Sequence, residues 1–294
     1  MPAPLRGLLF GHGRMGSLHA RKLAARPDVR LVVVDPDQGH PHPGGPLPDF
    51  AIVATPTSTH SAVAGPLLAA GVPTLVEKPL GISVADATLL AGYPMLAVGH
   101  SERFHPVVRA AAGARPGFVQ ARRLAPPPPA HLPEIDVVSD IMVHDLDLAR
   151  AWLGPDWGDV RATGVGVMGG AADLAEARVE FAHGVATLVA SRVSPLRQRS
   201  IQLFEPGRYW SLDLVAQTAK VLQWTPGERP GSPVALPVDA RDALDTEHDA
   251  FLAMVRTGTP FPVGPADGLA AVRLTEAVRA AFCRSQALGP RPGC

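Results

Sequence analysis

The feature that most constrains this chain is a glycine-rich turn close to its N-terminus. An apolar run at residues 8–10 leads directly into Gly11-His12-Gly13-Arg14-Met15-Gly16, and a helical pattern follows. In a G-x-G-x-x-G turn between a strand and a helix, the first glycine permits the tight turn and the second lets the backbone approach a pyrophosphate, while the third allows close packing of helix on strand. The start of that helix also presents free N–H groups to phosphates. We therefore expect a dinucleotide site that includes Gly11, Gly13, Arg14, Met15 and Gly16.

Asp35 ends the second apolar run, 19 residues after Gly16. An acidic side chain at this position can accept hydrogen bonds from the adenosine ribose, and its charge would repel a 2′-phosphate. Because Pro36 follows rather than an arginine, the sequence favours NAD over NADP. The alternative interpretation is that Asp35 is only the turn residue that ends a strand.

The order of apolar runs predicts two domains. Up to about residue 99, short runs alternate with helical stretches, which indicates a parallel sheet with crossover helices. Beyond a proline run at 126–129, one helix near 140–153 precedes strand-like runs joined by turns, which favours an antiparallel sheet. The predicted strands are 8–10, 31–34, 50–54, 74–76 and 95–98, then 160–167, 176–181, 185–193, 199–204 and 209–214. The other predicted helices are 15–25, 58–70, 242–256 and 266–283.

Composition narrows the class of partner. Lys+Arg and Asp+Glu both number 27 among 294 residues, and neither sign gathers in long blocks. We therefore expect a small-molecule partner and neither nucleic acid nor a membrane surface. The two cysteines, Cys283 and Cys294, exclude a disulfide framework and a cysteine-rich metal site, and suit the cytoplasm. No apolar stretch reaches the roughly 18 residues of a membrane span, and the N-terminal apolar run is too short for a signal peptide.

Two further loops follow strands of the predicted parallel sheet and should open at its ligand-binding edge. The first contains Thr55, Pro56, Thr57 and His60, although Ser58 or Thr59 could also simply cap the next helix. The second is Glu77-Lys78-Pro79. A partly desolvated lysine there has a lowered pKa and can exchange a proton, whereas most lysines are solvated surface groups.

The segment around Asp140, His144 and Asp147 carries the remaining polar pattern. In an α-helix these three residues lie within about 60° of each other, so one face would present carboxylate, imidazole and carboxylate. Burying such a face without a role would be costly, which predicts a polar pocket. A solvated helix face and a metal site are the alternatives, and too few further ligands are evident to favour a metal.

The motifs, in this order, resemble the glucose-fructose oxidoreductase/inositol dehydrogenase family, Gfo/Idh/MocA. The resemblance rests on the glycine turn, Asp35, Ala54–His60 read as ATPTSTH, Glu77-Lys78-Pro79 and DIMVHDLD at 140–147. It implies a Rossmann domain, residues 1–115, and an α/β domain, residues 116–294, with a large, mostly antiparallel, open-faced sheet often used in oligomer contacts. The final helices would be able to pack back on the Rossmann domain.

The resemblance also implies chemical roles. Lys78, Asp140 and His144 fall on the family's catalytic lysine, aspartate and histidine, and Pro79 on a proline that often follows a cis bond. Oxidation of a secondary alcohol needs hydride transfer to nicotinamide while a base removes the hydroxyl proton. His144 is the expected base, Lys78 its hydrogen-bonding partner or an alternate acid/base, and Asp140 orients the substrate hydroxyl. Glu77 and Lys78 would also line the cofactor site.

A narrower resemblance, to the branch that contains UDP-N-acetylglucosamine 3-dehydrogenases, is carried by VGHSERFHP at 98–106 together with HDLD at 144–147. It adds Arg103, His100 and Asp147 as substrate-binding candidates, with Arg103 able to hold a phosphate or carboxylate through its planar fork. Arg103 could equally be a structural ion-pair partner. The expected substrate is therefore a sugar or nucleotide sugar, and the expected assembly a homo-oligomer formed through the C-terminal sheet.

Two segments depart from the family, and three other functions stay open. Residues 36–48 are too short and too rich in helix breakers for the helix that often lies there, so the adenine side of the pocket should be more open. The proline run at 126–129 is also unusual. The alternatives are an inositol or free-sugar dehydrogenase, a carbonyl reductase, and a non-catalytic NAD-sensing regulator, which would not need Lys78, Asp140 and His144 together.

Overall fold

The computed structural model describes residues 3–127, 135–225 and 227–284. Two compact units make up the chain: unit 1 consists of Met1–Phe104 and Asp242–Val272, and unit 2 of His105–Arg241 and Arg273–Cys294. The first division thus falls before the predicted boundary after residue 115, and residues 242–272 return to unit 1. The proline run at 126–129 lies partly outside the described residues.

The described elements, in chain order, are β1 (Leu5–Phe10), α1 (Arg14–Ala24), β2 (Val29–Val34), β3 (Phe50–Val53), α2 (His60–Ala69), β4 (Thr74–Glu77), α3 (Val84–Ala91), β5 (Leu96–Gly99), α4 (Pro106–Ala110), β6 (Phe118–Leu124), α5 (Val143–Leu153), β7 (Trp157–Val165), β8 (Leu174–Phe181), β9 (Gly184–Ser191), β10 (Gln198–Glu205), β11 (Arg208–Asp213), β12 (Thr218–Gln223), β13 (Val234–Ala235), α6 (Ala243–Thr257) and α7 (Pro265–Arg284). Short 3₁₀ turns lie at Pro36–Gln38, Thr57–Thr59 and Ser101–Phe104, and a π-helical segment at Val138–Met142.

Unit 1 is built on a parallel sheet with the strand order β2-β1-β3-β4-β5. Every residue of β3, β4 and β5 is buried, as expected for parallel strands covered by helices on both faces. Because the strands are parallel, their carboxyl ends lie at one edge of the sheet. That edge carries the glycine turn after β1, Asp35 after β2, Thr55 after β3 and Lys78 after β4.

Unit 2 is built on a larger sheet with the order β13-β12-β11-β10-β6-β9-β8-β7 across the residues described. Its strands pair antiparallel except for β6 with β9. Strand β8 alternates buried and exposed residues, the pattern of a sheet with one covered face. Helix α5 packs against β6 and β9. The large sheet therefore carries the helix that contains His144.

The predicted fold class is confirmed, with differences at particular elements. Strands β6, β12 and β13 and helices α3 and α4 were not predicted, and the segment 36–48 contains one 3₁₀ turn in place of a helix. Within the described part of the chain, none of the helices is both long and apolar enough to cross a membrane.

Candidate functional site

The glycine turn of unit 1 has the geometry of a phosphate-binding turn. Gly11 has a φ of +90°, a conformation that side chains other than glycine's rarely adopt. A Cβ on Gly16 would collide with the carbonyl oxygen of Gly11, so the close approach of α1 to β1 depends on that glycine. A Cβ on Gly13 would meet no heavy atom within 4 Å. Gly13 therefore faces open space at the N-terminus of α1, just before Arg14 and Met15, where a pyrophosphate can approach the backbone.

Asp35 is tied to the same turn. Its Oδ2 accepts hydrogen bonds from the backbone N–H of His12 at 2.7 Å and from Nε2 of Gln38 at 3.2 Å. The backbone groups of Asp35 and His40 bond to each other in both directions, and the rings of His12 and His40 meet edge to face at 5.3 Å. The carboxylate is thus held beside the glycine turn, which fits the binding of an adenosine ribose.

The segment between Asp35 and β3 is held down by Arg6. The guanidinium of Arg6 donates hydrogen bonds to the carbonyl oxygens of Pro46 and Leu47, and its backbone N–H donates to Asp49 Oδ2 at 2.7 Å. Residues 39–47 are exposed. The sequence predicted that this segment does not form the helix often found there, and the structure has an exposed loop tethered by Arg6 instead.

His60 connects two of the loops at the sheet edge. Its ring is buried, with Nε2 3.0 Å from the carbonyl oxygen of Thr55 and Nδ1 3.1 Å from that of Pro79. Burial lowers the pKa of His60, so its neutral form is favoured, and a neutral imidazole donates only one hydrogen bond at a time. Thr55 is also bound by the hydroxyl of Thr59 at 2.8 Å. Among the predicted cofactor residues, His60 thus connects the loop of Thr55, Pro56 and Thr57 to the loop that contains Pro79.

The segment Glu77-Lys78-Pro79 combines a buried carboxylate with the predicted catalytic lysine. The Nε2–H of His19 donates to Glu77 Oε1 at 2.9 Å, and the backbone N–H of Lys78 to Oε2 at 3.2 Å. Burial raises the pKa of Glu77, but the hydrogen bond from His19 and the charge of Lys78 outweigh it and the net shift is downward. The Lys78–Pro79 bond is cis, as the family resemblance implied.

Asp140 and His144 lie in unit 2, at the junction of two helix types. Residues Val138–Met142 form a π-helix and α5 begins at Val143. The expectation of a single α-helical face was therefore wrong at its first residue, because a π turn contains more residues than an α turn. Asp140 is exposed and His144 half-buried, whereas Asp147 is 1% exposed and lies 3.9 Å from Arg150.

Residues that sequence reasoning missed fix the start and the orientation of this helix. Asp136 Oδ1 accepts from the backbone N–H groups of Val138 and Ser139 at 2.9 and 3.0 Å, which is the hydrogen bonding of a helix cap. Asp145 Oδ1 and Oδ2 accept from Nη2 and Nε of Arg123 on β6, at 2.7 and 3.0 Å. An aspartate two residues before a helical run was a readable signal for the cap. The partner of Asp145 was not readable, since 22 residues separate the two.

The substrate-binding candidates of unit 1 lie just after β5. Arg103 Nη2 is 3.4 Å from Asp267 Oδ1, so Arg103 forms an ion pair, which was one of the two roles that the sequence allowed. Asp267 Oδ2 also accepts from the backbone N–H of Gly264 at 3.1 Å. His100 is 1% exposed. Whether these residues bind a substrate stays a prediction.

The structure thus gathers the predicted cofactor residues and Lys78 at one edge of unit 1, and Asp140 and His144 on neighbouring turns in unit 2. Among the described residues, no group of three or more histidine, cysteine, aspartate or glutamate side chains is arranged to hold a metal ion. The glycine turn, the open approach to Gly13 and the carboxylate of Asp35 fit a dinucleotide without a 2′-phosphate.

Comparison with known proteins gives a consistent result over both units. Residues 41–92 match the Gfo/Idh/MocA model, described as an oxidoreductase family with an NAD-binding Rossmann fold. UDP-N-acetylglucosamine 3-dehydrogenase from Acidithiobacillus ferrooxidans is 34% identical over 87% of this chain and 90% of that protein. A solved structure of that dehydrogenase has a TM-score of 0.85 at 31% identity, covering 95% of this chain and 98% of the other. Myo-inositol dehydrogenase Hyg17 from Streptomyces leeuwenhoekii is 33% identical, over 49% of this chain and 54% of that protein.

Proposed function

Because the chain belongs to the Gfo/Idh/MocA oxidoreductase family, we propose that it is a dehydrogenase that uses NAD to oxidise a secondary hydroxyl of a nucleotide sugar. The observation that carries the cofactor assignment is the glycine turn with Asp35 bonded to His12 N–H at 2.7 Å. A carboxylate fixed at this place favours a ribose with a free 2′-hydroxyl and disfavours a 2′-phosphate.

The residues at the edge of unit 1 hold the dinucleotide. Gly11, Gly13 and Gly16 shape the turn, and the N–H groups at the start of α1 bind the pyrophosphate. Asp35 accepts from the adenosine ribose, and the loops tied by His60 line the rest of the site. When bound, NAD supplies the acceptor for the hydride that leaves the substrate carbon.

The catalytic roles are assigned to three residues by the family resemblance. His144 accepts the proton of the substrate hydroxyl as the C–H hydride departs, so that the alcohol becomes a ketone. By the same resemblance, Lys78 donates a hydrogen bond to the substrate oxygen or acts as an alternate acid/base. Asp140, exposed on the π-helix, accepts a hydrogen bond from a substrate hydroxyl and orients it.

The proposed substrate class is a UDP-linked amino sugar. The support is the relative named UDP-N-acetylglucosamine 3-dehydrogenase, whose similarity covers nearly all of both chains. Arg103 would bind a phosphate of such a substrate, exchanging its contact with Asp267, and His100 and Asp147 would shape the pocket. The inositol dehydrogenase match covers about half of this chain, which makes polyols the second candidate.

We further propose a cytoplasmic homo-oligomer. The support for a second copy is an aromatic row on the larger sheet: Phe204 is 39% exposed, and its ring lies 5.7 Å from Phe118 and 5.1 Å from Tyr209 on neighbouring strands. A row of this kind favours burial against an identical row. Phe204→Lys should reduce the mass measured by light scattering to that of a single chain.

The function is tested by nicotinamide absorbance on mixing protein and NAD with UDP-N-acetylglucosamine, its uronate, free sugars and inositols, in the presence of a carbonyl trap. The trap is needed because oxidation of an alcohol by NAD is uphill near neutral pH. NADH formation with the nucleotide sugars alone supports the proposal. Formation with free polyols alone refutes the substrate class.

Variants then separate catalysis from binding. Lys78→Met and His144→Asn should abolish turnover while NAD affinity, measured by calorimetry, falls by much less. Arg103→Met should raise KM for the nucleotide sugar with a smaller effect on kcat. Normal turnover by both the Lys78 and the His144 variants would refute the catalytic assignment, and absence of turnover with every substrate, despite NAD binding, would favour a sensor.

A further inference from the structure

A buried cluster of four titratable side chains lies behind the segment that carries Lys78. It consists of His19 on α1, Glu77 on β4, and Glu247 and His248 on α6. None of the four is more than 6% exposed, and His19 and Glu247 are fully buried. Burying this much ionisable surface is expensive unless it serves a purpose. Neither the fold of a Rossmann unit nor the proposed contacts to NAD account for His19, Glu247 and His248.

The two histidines and Glu77 form an ordered chain of hydrogen bonds. His19 Nε2 lies 2.9 Å from Glu77 Oε1, and His19 Nδ1 lies 2.8 Å from His248 Nε2. An ionised carboxylate can only accept, so the Nε2–H of His19 is committed to Glu77. Burial, the largest cause, lowers the pKa of His248 to about 2, so that ring is neutral. Its Nε2–H can then donate to Nδ1 of His19, and the chain ends on the carboxylate.

Glu247 differs from Glu77 in its hydrogen bonding and in the direction of its pKa shift. Neither of its carboxyl oxygens has a hydrogen-bond partner among the described residues. Burial and the negative charge of Glu77 raise the pKa of Glu247 well above the ordinary value, which favours its protonated form. Two buried carboxyl groups thus lie within electrostatic reach of each other, and only the one that receives a hydrogen bond from His19 is ionised.

The structure makes room for this charge next to Lys78. A Cβ on Gly99, which lies opposite Glu77 in the sheet, would be 3.2 Å from Glu77 Oε1, so a larger side chain would press on the carboxylate. Glu77 Oε2 accepts from the backbone N–H of Lys78, and the charge of Lys78 stabilises the ionised carboxylate. That interaction is reciprocal: an ionised Glu77 favours the ammonium form of Lys78. Other charged or titratable groups that act on members of the cluster include Lys22 on α1, Arg26 just after α1, His60 on α2 and Asp249 on α6. Buried Glu102 lies in the 3₁₀ turn that packs against α6.

We propose that His19 is a positioning residue that places the negative charge of the buried carboxyl pair on Glu77, and that this charge keeps Lys78 in its ammonium form. Lys78 then serves the reaction as a hydrogen-bond donor to the substrate oxygen, and the hydroxyl proton goes to His144. The second step rests on the proposed function. The first does not, because it concerns only the charge state of Lys78.

The composition of the chain permits a direct test. Its only lysines are Lys22, Lys78 and Lys220, so protein labelled with ¹³C at lysine Cε gives three side-chain signals. Lys22→Arg and Lys220→Arg identify the signal of Lys78, whose titration midpoint is then followed by NMR. His19→Phe removes the donor to Glu77, and Glu77→Gln removes the charge itself. Each should lower the midpoint of Lys78 by about one pH unit or more.

Three matched variants serve as controls. His19→Gln retains an N–H donor and should restore most of the midpoint. Glu247→Gln replaces a carboxyl group that is already neutral and should leave it unchanged. Leu23→Ala opens a cavity in the same helix, α1, and should lower stability without moving the midpoint. If His19→Phe does not fold, His19→Asn, whose amide is too short to reach Glu77, takes its place.

The outcomes separate this inference from the proposed function. An unchanged Lys78 midpoint in folded His19→Phe and Glu77→Gln overturns the inference, and so does a shift in Glu247→Gln as large as that in Glu77→Gln. A lowered midpoint supports it. If the midpoint falls but the pH profile of kcat keeps its basic limb, the charge assignment stands and the catalytic role of Lys78 fails. If both move together, the two proposals stand together.

Discussion

The ion pair between Asp145 and Arg123 should contribute more to the stability of unit 2 than any exposed pair. It is bidentate, with contacts of 2.7 and 3.0 Å, and the two side chains are 3% and 5% exposed. Removing one partner of a buried pair leaves the other charge uncompensated, which costs about 3–5 kcal/mol. Asp145→Asn should therefore lower the free energy of unfolding of unit 2 by that amount.

The assay is urea unfolding followed by tryptophan fluorescence. All four tryptophans, Trp152, Trp157, Trp210 and Trp224, belong to unit 2, so the signal reports that unit. Asp159→Asn is the matched control, because Asp159 pairs with Arg161 at 2.8 Å where the side chains are 48% and 77% exposed. An exposed pair is worth at most about 1 kcal/mol.

The double variant Arg123→Met/Asp145→Leu sharpens the test. Replacing both charges by apolar groups removes the uncompensated charge, so the double variant should be more stable than Asp145→Asn alone. The reasoning is refuted if Asp145→Asn costs no more than Asp159→Asn, or if the double variant is the less stable of the two. Since Asp145 adjoins His144, we also expect kcat of Asp145→Asn to fall.

Three other outcomes follow from the structure. Gly16→Ala should destabilise unit 1 and abolish NAD binding, because a Cβ at residue 16 collides with the backbone of Gly11. Gly13→Ala should leave thermal stability unchanged and weaken only NAD binding, because a Cβ at residue 13 meets no protein atom. Thermal melts measure the first effect and calorimetry the second. Burial raises the pKa of Asp173, but hydrogen bonds from backbone N–H groups and from Arg192 outweigh burial, and the net shift is downward. The stabilisation that Asp173 contributes is therefore present above about pH 4 and is lost as pH falls through the lowered pKa. Asp173→Asn should flatten that part of the curve of stability against pH, measured by fluorescence. The pKa of Glu247 is raised, so its contribution to stability depends on pH in the opposite direction. That contribution is fully present below about pH 4 and decreases as pH rises toward the folded-state pKa. Glu247→Gln should therefore raise the melting temperature of the protein at pH 7, and equal melting temperatures would contradict this.

Local patterns in the sequence were sufficient for the family, the fold class and the cofactor. The glycine turn, Asp35 and Lys78 each follow a strand of the parallel sheet, so their common edge could be predicted from the order of apolar runs. Strand β6 could not, because its neighbours in the sheet lie more than 60 residues later in the chain. A strand whose partners are distant leaves little periodic signal in its own short sequence.

The residue types of the candidate site were proposed from the sequence and stay a prediction, whereas its local geometry was only partly predictable. Asp140 and His144 were identified from spacing, but the assumption of 3.6 residues per turn failed where the backbone forms a π-helix. His19 and His248 are 229 residues apart and meet only in the folded chain. No period or local motif records a contact of that range, and His19 reads in sequence as one more position on an amphipathic helix.

The discontinuity of unit 1 has a consequence for the order in which the protein can assemble during synthesis. Its parallel sheet is complete once β5 has been made, yet α6, which supplies Glu247 and His248, follows the last strand of the other unit. Until residues 242–272 leave the ribosome, His19 and the apolar surface around Phe50 lack the side chains that bury them, Phe251 among them. A nascent chain in that state exposes hydrophobic surface throughout the making of some 140 residues, about 7–30 s at ordinary translation rates. We therefore expect the position of α6 in the chain to make folding of unit 1 during synthesis more dependent on chaperones.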